Sequence, residues 1–362
     1  PVREGVAETI QEAAQAGIKT VMITGDHKNT ARSIADELGL DVSKASSVIG
    51  GDELQKLDDK ELEKRVENIN VYARVSPQDK LRIVDAYQAR GHIVAMTGDG
   101  VNDAPALKSA DIGIAVGSGT DVTKGVADMV LLDNNFKTII AAIKQGRIIV
   151  DNIKKVIVYL LADSFSGVVL ILGALFLGLP LPITAAQILW INLVTDSFPY
   201  IALTLEKGEP DIMKLKPRDK KASILDKEMK TLIFIIGLVT DMILLTLFWF
   251  YYDWSGDLFH TRTIVFAALG FATLIYVFSC RSLRQSLWNV GITGNKYLLY
   301  AFFLGLGLQL AALYVPFLRN VLKLDILTAF DWVIILGLSM IKLIGIEAMK
   351  YVFIARNNQK KA

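Results

Sequence analysis

Two carboxylates in a glycine-rich turn make Met96–Leu107 the stretch of this sequence with the clearest chemical potential. The apolar run His92–Met96 before it is typical of a buried strand in a parallel sheet. The acidic residue Asp103, followed by Ala and Pro, predicts the start of a helix. Asp99 would then lie at the carboxyl end of a strand, where open α/β sheets bind ligands. Asp99 and Asp103 could hold a hard cation such as Mg²⁺ beside an anion.

A second set of polar residues interrupts the apolar segment Ile183–Leu205, which is long enough to cross a bilayer. The spacing of Asn192, Thr195 and Asp196 predicts one shared helix face. Pro199 removes a backbone hydrogen bond and can free a carbonyl one turn earlier. Oxygen-only ligands beside an interrupted helix suit a hard cation such as Ca²⁺. Polar contacts between helices are the alternative, although an ionisable group in hydrocarbon is costly without a functional partner.

Strands and helices must alternate through residues 1–134 to position the first set. The expected strands are short, and the helices between them carry glycine stops and proline starts. This pattern predicts an α/β domain with a Rossmann-like, doubly wound parallel sheet. The expected strands are Ile18–Ile23, Ser47–Ile49, Ile69–Ala73, His92–Met96, Ile112–Val116 and Met129–Leu132.

The rest of the chain predicts an all-α membrane domain. Hydrophobic residues make up 52% of the sequence, which is too apolar for an ordinary soluble enzyme. A polar stalk helix is expected over 135–155, a transmembrane domain over 156–357 and a tail over 358–362. The six expected spans are Val156–Leu179, Ile183–Leu205, Leu232–Tyr252, Ile264–Ser279, Leu298–Phe317 and Asp331–Ile354. Lysines and arginines concentrate in the 206–230 loop, which places the soluble domain and the C-terminus in the cytoplasm.

Four stretches, in order, resemble the motifs of the P-type ATPases, the cation pumps that cycle through an aspartyl-phosphate. The resemblance covers almost the whole chain, and it extends to the haloacid-dehalogenase fold. The Asp-Lys-Thr-Gly-Thr segment that carries the family's phosphorylated aspartate does not occur among the 362 residues. The four stretches are Thr24-Gly25-Asp26, Ala73–Lys80, Met96–Leu107 and Trp190–Asp196.

The resemblance implies the C-terminal portion of such a pump, with an incomplete phosphorylation-domain sheet. The implied partners are the lipid bilayer and the pump's N-terminal part, which comprises an actuator, a nucleotide-binding domain and four helices. The sequence shows no sign of nucleic-acid binding. A multi-pass protein of the cell membrane is expected.

The resemblance also assigns roles to individual residues. Lys80 would reach the transferring oxygens as a point charge, and Thr24 would donate a hydrogen bond to the same phosphate. The implied catalytic residues are Thr24, Gly25, Asp26, Lys80, Asp99, Asn102 and Asp103. The implied cofactor contacts, for ATP and its Mg²⁺, are Thr24, Gly25, Asp26, Arg74, Lys80 and Asn102, with Asp99 as the Mg²⁺ ligand. The implied ligands of the transported cation are Asn192, Thr195, Asp196, Asp163 and Ser164.

The predicted function is ATP-driven Ca²⁺ export from the cytoplasm. Ser164 and Gly167 depart from the pattern of two-site calcium pumps, which favours a pump with a single site. Asp163 is outside the usual calcium pattern, so Na⁺, H⁺ and Mn²⁺ remain alternative ions. Two other classes stay open: a haloacid-dehalogenase phosphatase anchored to a membrane, and a non-enzymatic structural or assembly fragment.

Overall fold

The computed structural model describes residues 2–359 and divides into two compact units. The first contains the chain up to Arg147 together with Pro210–Ala222, and the second contains Ile148–Glu209 and the chain from Ser223 onward. The boundary therefore falls inside the expected stalk, and a segment between two apolar stretches belongs to the first unit. Residues 360–362 of the expected tail lie outside the described residues.

Six short parallel strands form the framework of the first unit, in two sheets of three with the orders β1-β3-β2 and β4-β5-β6. The expected parallel arrangement is confirmed, and all six strands occur near their expected positions. The sheet is nevertheless in two pieces, because no described strand joins β1 to β4. The strands are β1 (Met22–Thr24), β2 (Val48–Gly50), β3 (Val71–Ala73), β4 (Ala95–Gly98), β5 (Ile112–Val116) and β6 (Met129–Leu131).

Seven helices cover these strands, and local sequence explains where they begin. The fifth starts after Ser76, whose hydroxyl accepts from the backbone N–H of Asp79, while Asp79 accepts from the N–H of Ser76. Pro77 then occupies the first helical position, where a missing N–H costs nothing. These helices are α1 (Val6–Gln15), α2 (Lys28–Glu37), α3 (Gly51–Leu54), α4 (Asp59–Arg65), α5 (Pro77–Ala89), α6 (Ala104–Ser109) and α7 (Asp121–Val126).

The segment Pro210–Ala222 is fastened to the first unit by two basic side chains. The guanidinium of Arg147 donates to the carbonyls of Ile212 and Leu215 at 3.1 and 2.8 Å. Lys220 pairs with Asp111 at 2.8 Å. Burial alone would raise the pKa of Asp111, but the hydrogen bonds from Lys220, from the Val94 N–H and from Gln88 hold it below its usual value.

Among the described residues nine helices follow, and five helical segments are long and apolar enough to cross a membrane. The expected span Ile183–Leu205 is not one of these five continuous helices. It consists of α9, a π-helical turn over Ile191–Thr195, and α10. The helices are α8 (Phe136–Phe176), α9 (Ala185–Trp190), α10 (Ser197–Thr204), α11 (Lys227–Ser255), α12 (Leu258–Tyr276), α13 (Leu287–Val290), α14 (Lys296–Tyr314), α15 (Pro316–Leu322) and α16 (Ala329–Gln359).

The helix α12 is the centre of the second unit. In its most apolar window, 94% of the residues are buried, against 38% or fewer in the other four segments. Just beyond its end, Arg281 donates two hydrogen bonds to Glu206, at 2.8 and 3.1 Å. Asn295 donates to the same carboxylate at 2.9 Å. The end of α10 is thereby tied to α12 and α14 through a buried charge pair.

We expect Arg281→Met to destabilise the second unit by roughly 3–5 kcal/mol, because it leaves the buried Glu206 carboxylate without its counter-charge. Thermal unfolding in detergent measures this. Lys154→Met is the matched control, since Lys154 pairs with the half-exposed Asp226 at 3.6 Å and should cost no more than about 1 kcal/mol. Equal effects of the two substitutions would show that the Arg281 pair has no special structural weight.

Candidate functional site

The polar residues expected to act on phosphate follow the carboxyl ends of three strands. Thr24 ends β1, Arg74 follows β3, and Asp99 follows β4. All strands within each sheet run parallel, so these residues lie at the sheet edge where α/β folds bind ligands. The expected placement of these side chains at strand ends is therefore what the structure shows.

A charge pair joins α5 to the turn after β4. The Lys80 ammonium lies 2.5 Å from a carboxylate oxygen of Asp103, and the side chain of Asp103 is only 8% exposed. The other oxygen of Asp103 accepts from the backbone N–H groups of Asp99 and Gly100, both at 3.3 Å. Asp103 thus fixes both the lysine and the backbone of the turn, while the Asp99 carboxylate stays exposed.

Glycine is required at the end of β4 because Asp103 packs directly against it. A Cβ at Gly98 would lie 2.5 Å from the Cβ of Asp103 and 2.8 Å from its carboxylate carbon. On the other side of the turn, the carbonyl of Asp99 accepts from the N–H of Thr120 at 3.0 Å. The turn that carries Asp99 is therefore held from two sides.

The Thr24 loop forms a separate cluster on the other sheet. The Thr24 hydroxyl donates to the Asp26 carboxylate at 3.0 Å and accepts from the Asp26 N–H at 3.1 Å. Gly25 between them is exposed. Arg74 is exposed and has a left-handed backbone, with φ of 53°. Within residues 2–359, no hydrogen bond joins this cluster to Lys80, Asp99 or Asp103.

The exposed oxygens at this edge fit a magnesium site that bound phosphate would complete. In the described part of the chain, neither the Asp99 carboxylate nor the Asn102 amide makes a hydrogen bond, so both are available as ligands. The same residues contain no cluster of three or more His, Cys, Asp or Glu side chains that could hold a metal by themselves. Mg²⁺ usually takes only one or two protein carboxylates and completes its shell with phosphate and water oxygens.

The second candidate site centres on Asp196, directly after the π-helical turn. Asp196 is fully buried, and neither carboxylate oxygen makes a hydrogen bond of ordinary geometry within the described residues. Its N–H bonds to the carbonyl of Ile191, five residues earlier. Pro199 has no N–H, so the carbonyl of Thr195 loses its helical donor. A buried carboxylate beside a broken helix is an arrangement that suits a bound cation.

The expectation that Asn192, Thr195 and Asp196 share one face is not met. Thr195 and Asp196 are fully buried, whereas Asn192 is exposed. The expectation assumed regular α-helical spacing, and the wider π-helical turn changes the angle between these residues.

Asp163 and Ser164 on α8 also differ from each other. Asp163 is buried and lies close enough to Asp196 for the two carboxyl groups to interact. Ser164, the next residue, is exposed. Of the two residues expected on this helix, the structure therefore brings only Asp163 to Asp196.

Two further polar residues approach this site and did not emerge as ligand candidates from the sequence. The Thr195 hydroxyl donates to Gln309 of α14 at 3.2 Å. Lys342 of α16 interacts electrostatically with Asp163 and Asp196. The available signal was a polar residue within an apolar segment, but sequence spacing within one helix cannot show which helices meet.

Comparisons with known proteins show which families the two parts of this chain resemble. The family model for the C-terminus of cation-transporting ATPases matches residues 180–352, and that for haloacid dehalogenase-like hydrolases matches residues 1–111. A calcium-transporting ATPase of Bacillus subtilis is 45% identical over 94% of this chain and 38% of its own length. Calcium-transporting ATPase 1 of Bacillus cereus is 42% identical, over 97% of the chain and 41% of its own length. Human calcium-transporting ATPase type 2C member 1 is 37% identical over 100% of this chain and 39% of its own length. The chain thus spans about two fifths of the length of these relatives.

We expect Gly98→Ala to destabilise the first unit by about 1–3 kcal/mol, because the new methyl group overlaps the Asp103 side chain that holds Lys80. Thermal unfolding of the whole chain checks this. The control is Gly125→Ala in α7, where a Cβ would meet nothing within 4 Å, and where alanine should be neutral or slightly stabilising. A Gly98→Ala protein as stable as the control would contradict the tight packing of this turn.

Proposed function

Because this chain belongs to the cation-transporting P-type ATPases, we propose that it forms part of an ATP-driven pump that exports Ca²⁺ from the cytoplasm. The observation that carries the proposal is the Asp196 carboxylate, which is fully buried, makes no hydrogen bond of ordinary geometry within the described residues, and lies beside the second buried carboxylate, Asp163. A negative charge in hydrocarbon needs a counter-charge, and a transported cation supplies one.

The proposed phosphate site is formed by residues at the carboxyl ends of β1 and β4. Phosphoryl transfer to an aspartate requires mainly positioning and charge neutralisation. Lys80, already aimed by Asp103, neutralises the transferring oxygens, and the Thr24 hydroxyl donates to the same group. Asp99 and Asn102 would hold Mg²⁺, which neutralises phosphate charge when it is bound with ATP. Gly25, Asp26 and Arg74 shape the loops that face it.

The open edges of β1 and β4 support a partner segment of the same pump. Each strand is the last in its sheet, and the two flank one apolar cluster that contains Ile23 and Met96. We propose that the strand bearing the nucleophilic aspartate pairs between them, since edge strands present unpaired backbone groups. The actuator, the nucleotide-binding domain and four further helices would belong to the same missing portion.

The proposed location is the cell membrane, with the first unit and the C-terminus in the cytoplasm. Five membrane-length helices support a multi-pass protein, and the lysine-rich 206–230 loop supports the orientation. The broken segment Ile183–Leu205 would be a sixth span, since a helix may be interrupted in a membrane where it lines a site.

Two alternatives follow from specific features. Asp163 beside Asp196 adds a second carboxylate, so Mn²⁺, Na⁺ or H⁺ are competing ions. A phosphatase with a membrane anchor explains the haloacid-dehalogenase match alone. This alternative does not explain why Asp163 and Asp196 are buried in the membrane domain, because a membrane anchor needs no carboxylate in its interior.

At the phosphate site, Asp99→Asn in the full-length pump should abolish Mg²⁺-dependent turnover, because it deletes the charge that faces the metal. Lys80→Ala should reduce phosphorylation on the order of a hundredfold, if the lost electrostatic stabilisation is about 3 kcal/mol. Radiolabelled phosphoenzyme formation measures both. The exposed Lys108, on α6, provides a control that should keep normal turnover as Lys108→Ala. Near-normal phosphorylation in either site variant would remove that residue from the mechanism.

At the cation site, Asp196→Asn keeps the side-chain size and one oxygen but removes the charge. Cation-dependent phosphorylation from ATP should be lost. Reverse phosphorylation from inorganic phosphate should survive, since it needs only the phosphate site. A calcium titration of the phosphoenzyme, compared with wild type, gives the result. An unchanged midpoint would place the transport site elsewhere and would remove the calcium assignment.

A further inference from the structure

The ammonium of Lys342 is a buried positive charge in the membrane domain with no carboxylate in contact. Lys342 is 6% exposed and lies within α16. The ammonium makes a cation–π contact with the ring of Tyr276, whose centroid is 4.2 Å away. Within residues 2–359, no carboxylate oxygen lies within 4.0 Å of this ammonium. A cation–π contact offsets only part of the cost of burying a charge.

The other two buried lysines of the second unit are satisfied. Lys350, two turns further along α16, lies 2.7 Å from Glu347 and 2.8 Å from the carbonyl of Ser279. Lys155 on α8 lies 3.0 Å from Asp151. Lys342 therefore differs from both in lacking a contacting carboxylate, although the same protein pairs its other buried lysines directly.

Two of the groups that interact electrostatically with Lys342 belong to the proposed cation site. Its ammonium interacts electrostatically with both Asp163 and Asp196. The ring of Tyr276 lies against the Lys342 ammonium, and its hydroxyl donates a hydrogen bond to the carbonyl of Tyr159 at 2.7 Å. Tyr159 lies on α8, one turn before Asp163. In a low-dielectric interior such attraction acts over longer distances than in water. The lysine and the two aspartates thus form one electrostatic group on three helices.

The surroundings of Lys342 leave its side chain room to move. A cavity of about 230 Å³ between α11, α12 and α16 is lined by Lys342 together with Thr240, Leu338 and Met349. A four-carbon stem with free space beside it can change rotamer without displacing a helix. Neither aspartate lines this cavity, so it gives the ammonium space into which it can withdraw from them.

We propose that Lys342 is a tethered counter-ion for Asp163 and Asp196. Its ammonium neutralises part of their charge when the transported cation has left, and it withdraws when the next cation binds. The lysine and the cation then compete for the same two carboxylates. The inference rests on the proposed transport function, and it assigns Lys342 the role of setting cation affinity and the charge of the empty site.

The test is Lys342→Met in the full-length pump, read by calcium titration of phosphoenzyme formed from ATP. Removal of the competing charge should lower the half-saturating calcium concentration tenfold or more. Decay of the phosphoenzyme after calcium chelation should slow at least fivefold, because the emptied site has lost its counter-charge. Lys342→Arg keeps the charge and should restore both values to within about twofold of wild type.

Lys350→Met is the matched control, because it removes an equally buried ammonium from the same helix but one that already has its own carboxylate. Its midpoint should stay at the wild-type value. A Lys342→Met midpoint that is unchanged, raised, or shifted equally by Lys350→Met would overturn the proposal. If Lys342→Met cannot be phosphorylated from inorganic phosphate, and so has not folded, Lys342→Gln takes its place with the same expectation and the same contrary result.

Failure of the transport proposal gives a different pattern. In that case, wild-type phosphorylation does not depend on calcium at all. The titration is then repeated with Mn²⁺ and Na⁺, and the Lys342 variants are compared in whichever cation supports phosphorylation. A shift in that cation's midpoint supports the counter-ion role, and the absence of a shift overturns it.

Discussion

The cost of burying charge in an apolar bundle governs the structure of the membrane domain. Removing a carboxylate or an ammonium from water costs several kcal/mol of solvation free energy unless a counter-charge or hydrogen bonds replace its hydration. Around the ends of the long helices, this constraint is met by direct pairs, as between Arg281 and Glu206 or between Lys350 and Glu347. In the interior, the Asp196 carboxylate makes no hydrogen bond of ordinary geometry, and Lys342 contacts no carboxylate, within the described residues. Direct pairs hold helices together, whereas in the proposed function the charges without direct pairs bind and release a cation.

The proposed phosphate site has the opposite arrangement. Lys80 and Asp103 are in direct contact, and Asp103 also holds the backbone that carries Asp99. Positioned charges there require no movement of the site when phosphate arrives, which is the condition for effective electrostatic stabilisation of phosphoryl transfer. In the proposed pump, the two open strand edges would accept one further strand. A strand between β1 and β4 would bring the Thr24 loop and the Asp99 turn around one group.

Local signals in the sequence predicted much of this architecture. Ser76 and Pro77 predicted the start of α5, and the apolar run ending at Met96 predicted a strand within a few residues of β4. The carboxyl-edge placement of Asp99 followed from the same reasoning. Local sequence signals could not predict contacts between residues far apart in the chain. Nothing local indicates that Arg147 fastens Pro210–Ala222, or that Lys342 faces residues on two other helices.

The π-helical turn is the most instructive departure from the sequence-based expectation. Spacing rules assume a regular helix, and one wider turn was enough to bury Thr195 and Asp196 while leaving Asn192 exposed. Helix irregularities of this kind occur often at functional sites. The failed expectation about Asn192 thus lies at the place where the chain departs from ordinary helical geometry, directly before the buried Asp196.

Uptake of radioactive calcium into sealed inside-out vesicles that carry the full-length pump tests the central claim most directly. The account predicts uptake that requires ATP and Mg²⁺, saturates with calcium, and is released by a calcium ionophore. Vesicles with Asp99→Asn should show none of it. ATP hydrolysis that another cation stimulates, without any ATP-dependent calcium uptake, would contradict the account.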